Sequence, residues 1–254
     1  MAESAAAPSL PKAASIDPAE VARFQAQADA WWDPQGEFKP LHRLNPLRLG
    51  FVRDRVAAHF GRDPLGPRPL EGLRLIDIGC GGGLVAEPMA RLGAQVVAID
   101  AAPGNIATAR LHAQEQGLAI DYRQAAAEDL AAAGERFDVV LSLEIVEHVA
   151  DLESFLGAVG ALAKPGAIVV ASTLNRTAKA YALAIVGAER VLRWLPAGTH
   201  DWRKFVRPSE LAAGWRRAGI ALAELKGMVY TPWRDEWTLA DDLGVNYLAV
   251  GVRR

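Results

Sequence analysis

The sequence predicts an α/β fold: a seven-stranded, mostly parallel sheet with an antiparallel edge strand and helices on both faces. Three observations lead there. From Arg74 onward, short apolar runs alternate with helical runs across tight turns, the pattern of a parallel sheet covered on both sides. A glycine-rich turn, "DIGCGGG" from Asp77 to Gly83, joins the first such run to the first helix. Acidic residues then fall at or just after the ends of successive runs, at Asp100, Glu128, Asp129 and Glu144, the sheet edge where open α/β folds bind ligands.

Taken in order, the first residues are rich in alanine, serine and proline and lack the continuous apolar core of a signal peptide. Residues 1–16 read as a mobile tail and residues 17–254 as one domain. Asp17 is placed to cap a helix from Pro18 to Trp32, with Glu20 completing a capping box. Asn45 and Pro46 repeat that signal for a second helix, and the two together make a helical segment over 17–70. "RLIDIG", "AQVVAID", "AIDYRQA", "RFDVVLSLE" and "AIVVAST" are the first five strands. "LAAGWRRAGI" is a late helix, "ALAELKGMVY" and "VNYLAVGV" are the last two strands, and the final one suits the antiparallel edge. Residues 175–205 interrupt this scheme with a helical insertion, broken near Pro196, that the sheet does not require.

Composition narrows the function. The chain has 254 residues, 51% apolar and 23% charged, enough for a sizeable core in a soluble domain. A formal net charge of -2 argues against a nucleic-acid backbone binder. Cys80 is the only cysteine, so no internal disulfide can form, in keeping with a reducing, cytoplasmic setting. No stretch reaches the apolar length of a membrane span.

The glycine turn lets the backbone approach a ligand, and a dinucleotide would suit such a strand–turn–helix equally well. The spacing is G-x-G-G-G, however, and Asp77 precedes the first glycine, Gly79, with only Ile78 between them. An acid there suits an ammonium group better than a pyrophosphate. Asp100 is placed to accept ribose hydroxyls, and Glu128 or Asp129 to accept an adenine amine. Ammonium, ribose and adenine together describe S-adenosyl-L-methionine better than NAD. Arg48 could reach the carboxylate of such a ligand.

"EIVEHV" leaves the fourth strand at the same edge. If helical, it sets Glu144, Glu147 and His148 on roughly one side. Three such ligands could hold a divalent cation, magnesium by their hardness. His148 could instead be a general base, or the stretch could simply open a helix. In "HDWRKF", basic and aromatic side chains beside an apolar run suit either a membrane interface or a substrate lid.

"LIDIGCGGG", "VVAID" and "DVVLSLEIVEHV" resemble the ligand-binding motifs of class I S-adenosylmethionine-dependent methyltransferases, a Rossmann-like family. "WWDPQGEFKPLHRLNPLRL", "STLNRT", "VGAERVLRWLPAGTHDWRKFVRPSEL" and "DLGVNY" narrow the resemblance to the bacterial ubiquinone-biosynthesis O-methyltransferases, from about Ile16 onward. The resemblance implies methylation of a phenolic hydroxyl on 2-polyprenyl-6-hydroxyphenol and on 3-demethylubiquinol. It implies cofactor contacts at Arg48, Gly79, Asp100 and Leu143, beside Asp77, Gly81, Glu128 and Asp129 read above. In eukaryotic relatives a divalent metal such as Mg2+ accompanies the E-x-x-E-H pattern, matched by Glu144, Glu147 and His148. The resemblance also implies lipid contact through the 175–205 insertion, hence peripheral association with the inner face of the membrane, and contact with other quinone-biosynthesis enzymes. Competing readings are a methyltransferase for another small apolar substrate, or a cofactor-binding scaffold without turnover.

Overall fold

The computed structural model describes residues 13–183, 185, 201–231 and 233–254. Five strands, β1 (Arg74–Ile78), β2 (Gln95–Asp100), β3 (Asp121–Gln124), β4 (Phe137–Leu143) and β5 (Ala163–Leu174), pair in parallel in the order β3-β2-β1-β4-β5. β8 (Asn246–Arg253) then pairs antiparallel with β5, β6 (Ile220–Thr231) antiparallel with β8, and β7 (Glu236–Ala240) antiparallel with β6. The sheet thus has eight strands where seven were expected. The edge belongs to β7, while the last strand lies inside between β5 and β6. β7 escapes pattern reading because it is a polar, half-exposed edge without apolar alternation, reached through a turn in which Asp235 adopts a left-handed φ of 49°.

Period-two alternation sends neighbouring residues to opposite faces. On one face, Leu75, Val96 and Val139 pack beneath α2 (Lys39–His59), α3 (Ala86–Arg91) and α4 (Pro103–Glu115). On the other, Ile76, Val97 and Val140 meet α6 (Leu152–Leu162) and α8 (Pro208–Arg217), with Trp215 fully buried. A short α5 (Ala127–Ala132) follows β3. Every parallel strand therefore ends at one edge, and the loops there form the site.

The N-terminal segment differs from its expected form. Asp17 caps α1 (Pro18–Ala26), its side chain accepting from the amide of Ala19 at 3.0 Å, but the helix stops short of Trp32 and passes into a 3-10 turn at Ala28–Ala30. Glu20 makes no capping box. α2 starts at Lys39, with Pro40 in its first turn, so Asn45 and Pro46 lie inside it. Asn45 is free of a capping role because its amide docks the helix: it donates to the carbonyl of Leu84 at 3.0 Å and accepts from Arg48. Of the expected tail, residues 1–12 lie outside the described residues, while Ser15 is buried, its amide donating to Glu128 Oε1 at 3.2 Å and its carbonyl accepting from Ala150 at 2.8 Å. Within the insertion, α7 (Ala178–Ala180) is capped by Thr177; the expected break near Pro196, and His200, lie outside the described residues.

Candidate active site

A cavity opens at the C-terminal ends of β1, β2 and β4, roofed by α1. Asp77, Gly79, Gly81 and Asp100 line it from the first two strands, and Leu143, Glu144, Glu147 and His148 from the fourth, with Arg48 entering from α2. Nine expected site residues therefore meet in one place.

Asp77 is 2% exposed. One side of its carboxylate is held by the amide of Ala86, while Oδ2 has no partner among the described residues. Burial, reinforced by Asp100 and opposed by Arg48, pushes its pKa up to about 7. Arg48 is 3% exposed, and burial lowers its pKa against the pull of Glu144, Asp77 and Glu147. Its Nη1 lies 3.8 Å from Glu144 Oε1, and its Nε has no hydrogen-bond partner among the described residues. Asp77 and Arg48, of opposite charge, thus both line the cavity with one buried side-chain atom left unpaired, as does Glu147 through Oε1. Leaving such atoms unpaired is costly, which is the mark of a site prepared for a ligand carrying both charges.

The glycine turn is shaped as much by protein as by ligand. Gly79 has a φ of 74°, a conformation that favours glycine, and its amide bonds the carbonyl of Ile99 at 2.8 Å. A Cβ on Gly81 or Gly82 would lie within 2.4 Å of Trp31 side-chain atoms. Trp31 packs on the turn, stacks on Phe38 at 3.8 Å between ring centres, and donates from Nε1 to Asn105 Oδ1 at 2.9 Å. Trp32 adds a hydrogen bond from its indole to the carbonyl of Gly82 at 2.9 Å.

The stretch after β4 is not a helix. Glu144 takes a left-handed φ of 54°, the chain turns with the amide of His148 on the carbonyl of Ile145, and α6 begins only at Leu152, capped by Asp151. Each of the three side chains takes a different partner. Glu144 accepts from Ser172 Oγ at 2.6 Å and Glu147 Oε2 from Thr173 Oγ1 at 2.8 Å. His148 points instead to α1, with Nδ1 3.3 Å from Glu20 Oε2, and its ring meets Phe24 edge-on at 5.3 Å. Among the described residues no three carboxylate, histidine or cysteine groups gather as a metal would need, so the expected Glu144–Glu147–His148 metal site does not fit this arrangement.

Glu128 and Asp129 also depart from expectation. Neither lines the cavity: Glu128 accepts from the amide of Ser15, and Asp129 Oδ2 from the amide of Ala126 at 3.0 Å. The backbone of Ala125 to Ala127 forms that part of the wall.

With the geometry in view, a family model described as a methyltransferase domain matches residues 76–171. A ubiquinone biosynthesis O-methyltransferase of Azorhizobium caulinodans is 60% identical over 238 residues, covering 94% of each chain. One from Cereibacter sphaeroides is 60% identical over 240 residues, covering 94% of this chain and 97% of its own. Among solved structures, the magnesium protoporphyrin IX methyltransferase of Synechocystis PCC 6803 with bound SAH superposes with a TM-score of 0.62 at 20% identity, over 92% of this chain and 95% of that one. The N-methyltransferase NodS of Bradyrhizobium japonicum gives 0.57 at 14%, over 92% and 97%. These two likenesses establish the fold.

Glu147 supplies a test of the cavity's electrostatics. Burial, with Glu144 nearby, pushes its pKa from an ordinary 4.5 up to about 7. Between those values the native state holds a proton that the unfolded chain has released, so stability falls as pH rises through this window and stays reduced above it. In Glu147→Gln the penalty is gone. Thermal denaturation of the ligand-free protein should show a Tm gain of a few degrees at pH 8, of the order of 2–4 °C per kcal/mol for this size, and little gain at pH 5. Equal gains at both pH values, or a loss at pH 8, would contradict the assignment.

Proposed function

The chain belongs to the ubiquinone biosynthesis O-methyltransferases, and we propose that its cavity moves the methyl group of S-adenosylmethionine to a phenolic hydroxyl of a polyprenyl catechol or quinol. The expected acceptors are 2-polyprenyl-6-hydroxyphenol and 3-demethylubiquinol. The observation that carries the cofactor assignment is the pair of unsatisfied buried charged atoms, Asp77 Oδ2 and Arg48 Nε, on residues lining one cavity. They match the ammonium and carboxylate of an amino acid. The turn between Asp77 and Gly83 holds no basic residue to receive a pyrophosphate.

When bound, S-adenosylmethionine supplies a methyl group already activated by its sulfonium. What is left to the protein is alignment, exclusion of water and removal of the phenol proton. Asp77 and Arg48 hold the amino-acid end, Asp100 receives the ribose, and Leu143 gives an apolar contact beside the reacting centre. The roof formed by α1, with Phe24, Trp31 and Phe38 on the cavity wall, keeps the acceptor ring in an apolar setting. His148 takes the phenol proton. It lines the cavity, its Nδ1 held 3.3 Å from the Glu20 carboxylate and 3.4 Å from the Arg23 guanidinium. Glu144 anchors this turn through Ser172 and partners Arg48. No step is routed through a metal.

A soluble domain acting on a polyprenyl substrate must meet a membrane. Support for contact through residues 175–205 comes from Tyr181 and Leu183, 44% and 52% exposed beside α7. Among the described residues no helix is long and apolar enough to cross a membrane; the reading is of an interfacial contact.

Two outcomes follow. His148→Ala should lower turnover by about 10²–10⁴-fold, the usual contribution of general base catalysis, with S-adenosylmethionine affinity unchanged by calorimetry; normal turnover would remove the histidine from the mechanism. Replacing Tyr181 and Leu183 together by glutamate should weaken co-sedimentation with phosphatidylethanolamine–phosphatidylglycerol vesicles several-fold. Unchanged binding would rule these side chains out as the contact.

A further inference from the structure

β6 and β7 do not stop where the rest of the sheet stops. β5 ends at Leu174 opposite Asn246, the first residue of β8, and Met228 of β6 reaches that level, its amide donating to Asn246 Oδ1 at 3.2 Å. Past Gly227 the backbone of β6 pairs with β7 alone, Val229 with Thr238, Tyr230 with Trp237 and Thr231 with Glu236. β6 runs the same way as the parallel strands, because both it and β5 are antiparallel to β8. The hairpin therefore projects beyond the C-terminal ends of those strands, where the cavity opens and the 175–205 insertion begins.

The projection is braced. Asp235 Oδ1 accepts from Arg43 Nη1 at 2.7 Å and from Tyr230 Oη at 2.6 Å. The Tyr230 and Trp237 rings lie 5.2 Å apart, and Trp237 packs against the core. A cleft between the hairpin and the start of α2 is lined by Lys39, Pro40, Arg43, Tyr230 and Trp237. Pro40 also lines the main cavity, so the hairpin stands beside the cavity roof. At its turn Trp233 is 84% exposed, more than any other large apolar side chain among the described residues.

What this ring meets follows from its surroundings. Arg234, Asp235 and Glu236 beside it are exposed, and Arg43 joins them through Asp235, so the charges at the tip balance. A protein partner would need an apolar patch of a few hundred Å² at the centre of the contact, and one indole ringed by charges does not supply it. A balanced tip also has little pull on anionic headgroups. A lone indole held out on a rigid projection suits the headgroup layer of a bilayer, its apolar body inward and its N–H at the wet side.

We infer that the β6–β7 hairpin is a membrane contact, separate from Tyr181 and Leu183, with Trp233 entering the headgroup layer and setting the cavity mouth against the lipid that carries the acceptor. The inference rests on the membrane reading proposed above. It adds a second point of contact, and two points fix an orientation where one fixes only attachment.

The test is co-sedimentation of the full chain with phosphatidylethanolamine–phosphatidylglycerol vesicles. Trp233→Ala should raise the apparent Kd by about tenfold, the lower end of what burying one large apolar side chain is worth, with Tm unchanged. The loss should persist at high salt, because an indole contact is not screened. Leu65→Ala removes a side chain 79% exposed in the segment before β1, at the opposite end of the strands, and should change nothing. In Trp233→Ala the KM for a polyprenyl catechol presented in vesicles should rise, while kcat/KM for a short-chain catechol in solution stays at the wild-type value. Wild-type vesicle affinity in Trp233→Ala would overturn the inference. So would an equal loss in Leu65→Ala, or a loss on the soluble catechol as large as on the vesicle-borne one. Failure of the wild type itself to bind vesicles would instead remove the membrane reading, and this inference with it.

Discussion

The arrangement on which the rest of the site depends is the burial of Arg48 among three carboxylates at the head of the sheet. A guanidinium and several acids taken out of water are expensive unless each is matched. Here the matching is incomplete by one atom each on Arg48, Asp77 and Glu147. Much of the surrounding structure holds these groups in place. Asn45, deep in α2, accepts from Arg48 and ties the helix to Leu84 at the far end of the glycine turn. Ser172 and Thr173, the last part of β5, anchor Glu144 and Glu147. A site of this kind holds free energy that only a ligand of both charges releases.

The same frame explains why the N-terminal segment belongs to the site. α1 and the residues after it supply no strand and cover neither face of the sheet alone, yet they roof the cavity. Trp31 and Trp32 lock onto the glycine turn, Glu20 approaches His148, and Lys204, from the 3-10 turn Trp202–Lys204 at the end of the insertion, reaches Asp17 at 2.9 Å. The glycine turn, His148 and the insertion thereby share one cover.

The alternating strands and helices were legible because buried parallel strands are continuous apolar runs and the turns between them are short. Asp77 and Asp100 were legible for the same reason: once strand ends are known, the residues there point to the ligand edge. What pattern could not supply were contacts between distant positions. Asn45 carries every local mark of a helix cap, and only its long-range bond to Leu84 shows why it sits inside α2. The stretch from Glu144 was read as a metal site, a catalytic histidine or a helix start, but the left-handed backbone of Glu144 turns the chain. Glu147 bonds Thr173 while His148 faces Glu20, which does not fit the metal site that spacing and the resemblance suggested. Glu128 and Asp129 stood at the right strand end, yet Ser15 and Ala126 hold their carboxylates away from the cavity. β7 had no apolar alternation to betray it.

The central claim is that Asp77 waits, partly protonated and unsatisfied, for the cofactor's ammonium group. A cation placed beside a carboxyl held at about 7 lowers its pKa, so binding releases a proton near neutrality and affinity weakens as pH falls below about 7. Titrating S-adenosylmethionine into the protein at pH 7, in buffers of differing ionisation enthalpy, measures that release directly. The expected result is a clear buffer-dependent heat corresponding to proton release, lost together with much of the affinity in Asp77→Asn. Heats independent of buffer, with Asp77→Asn binding as tightly as the wild type, would contradict it.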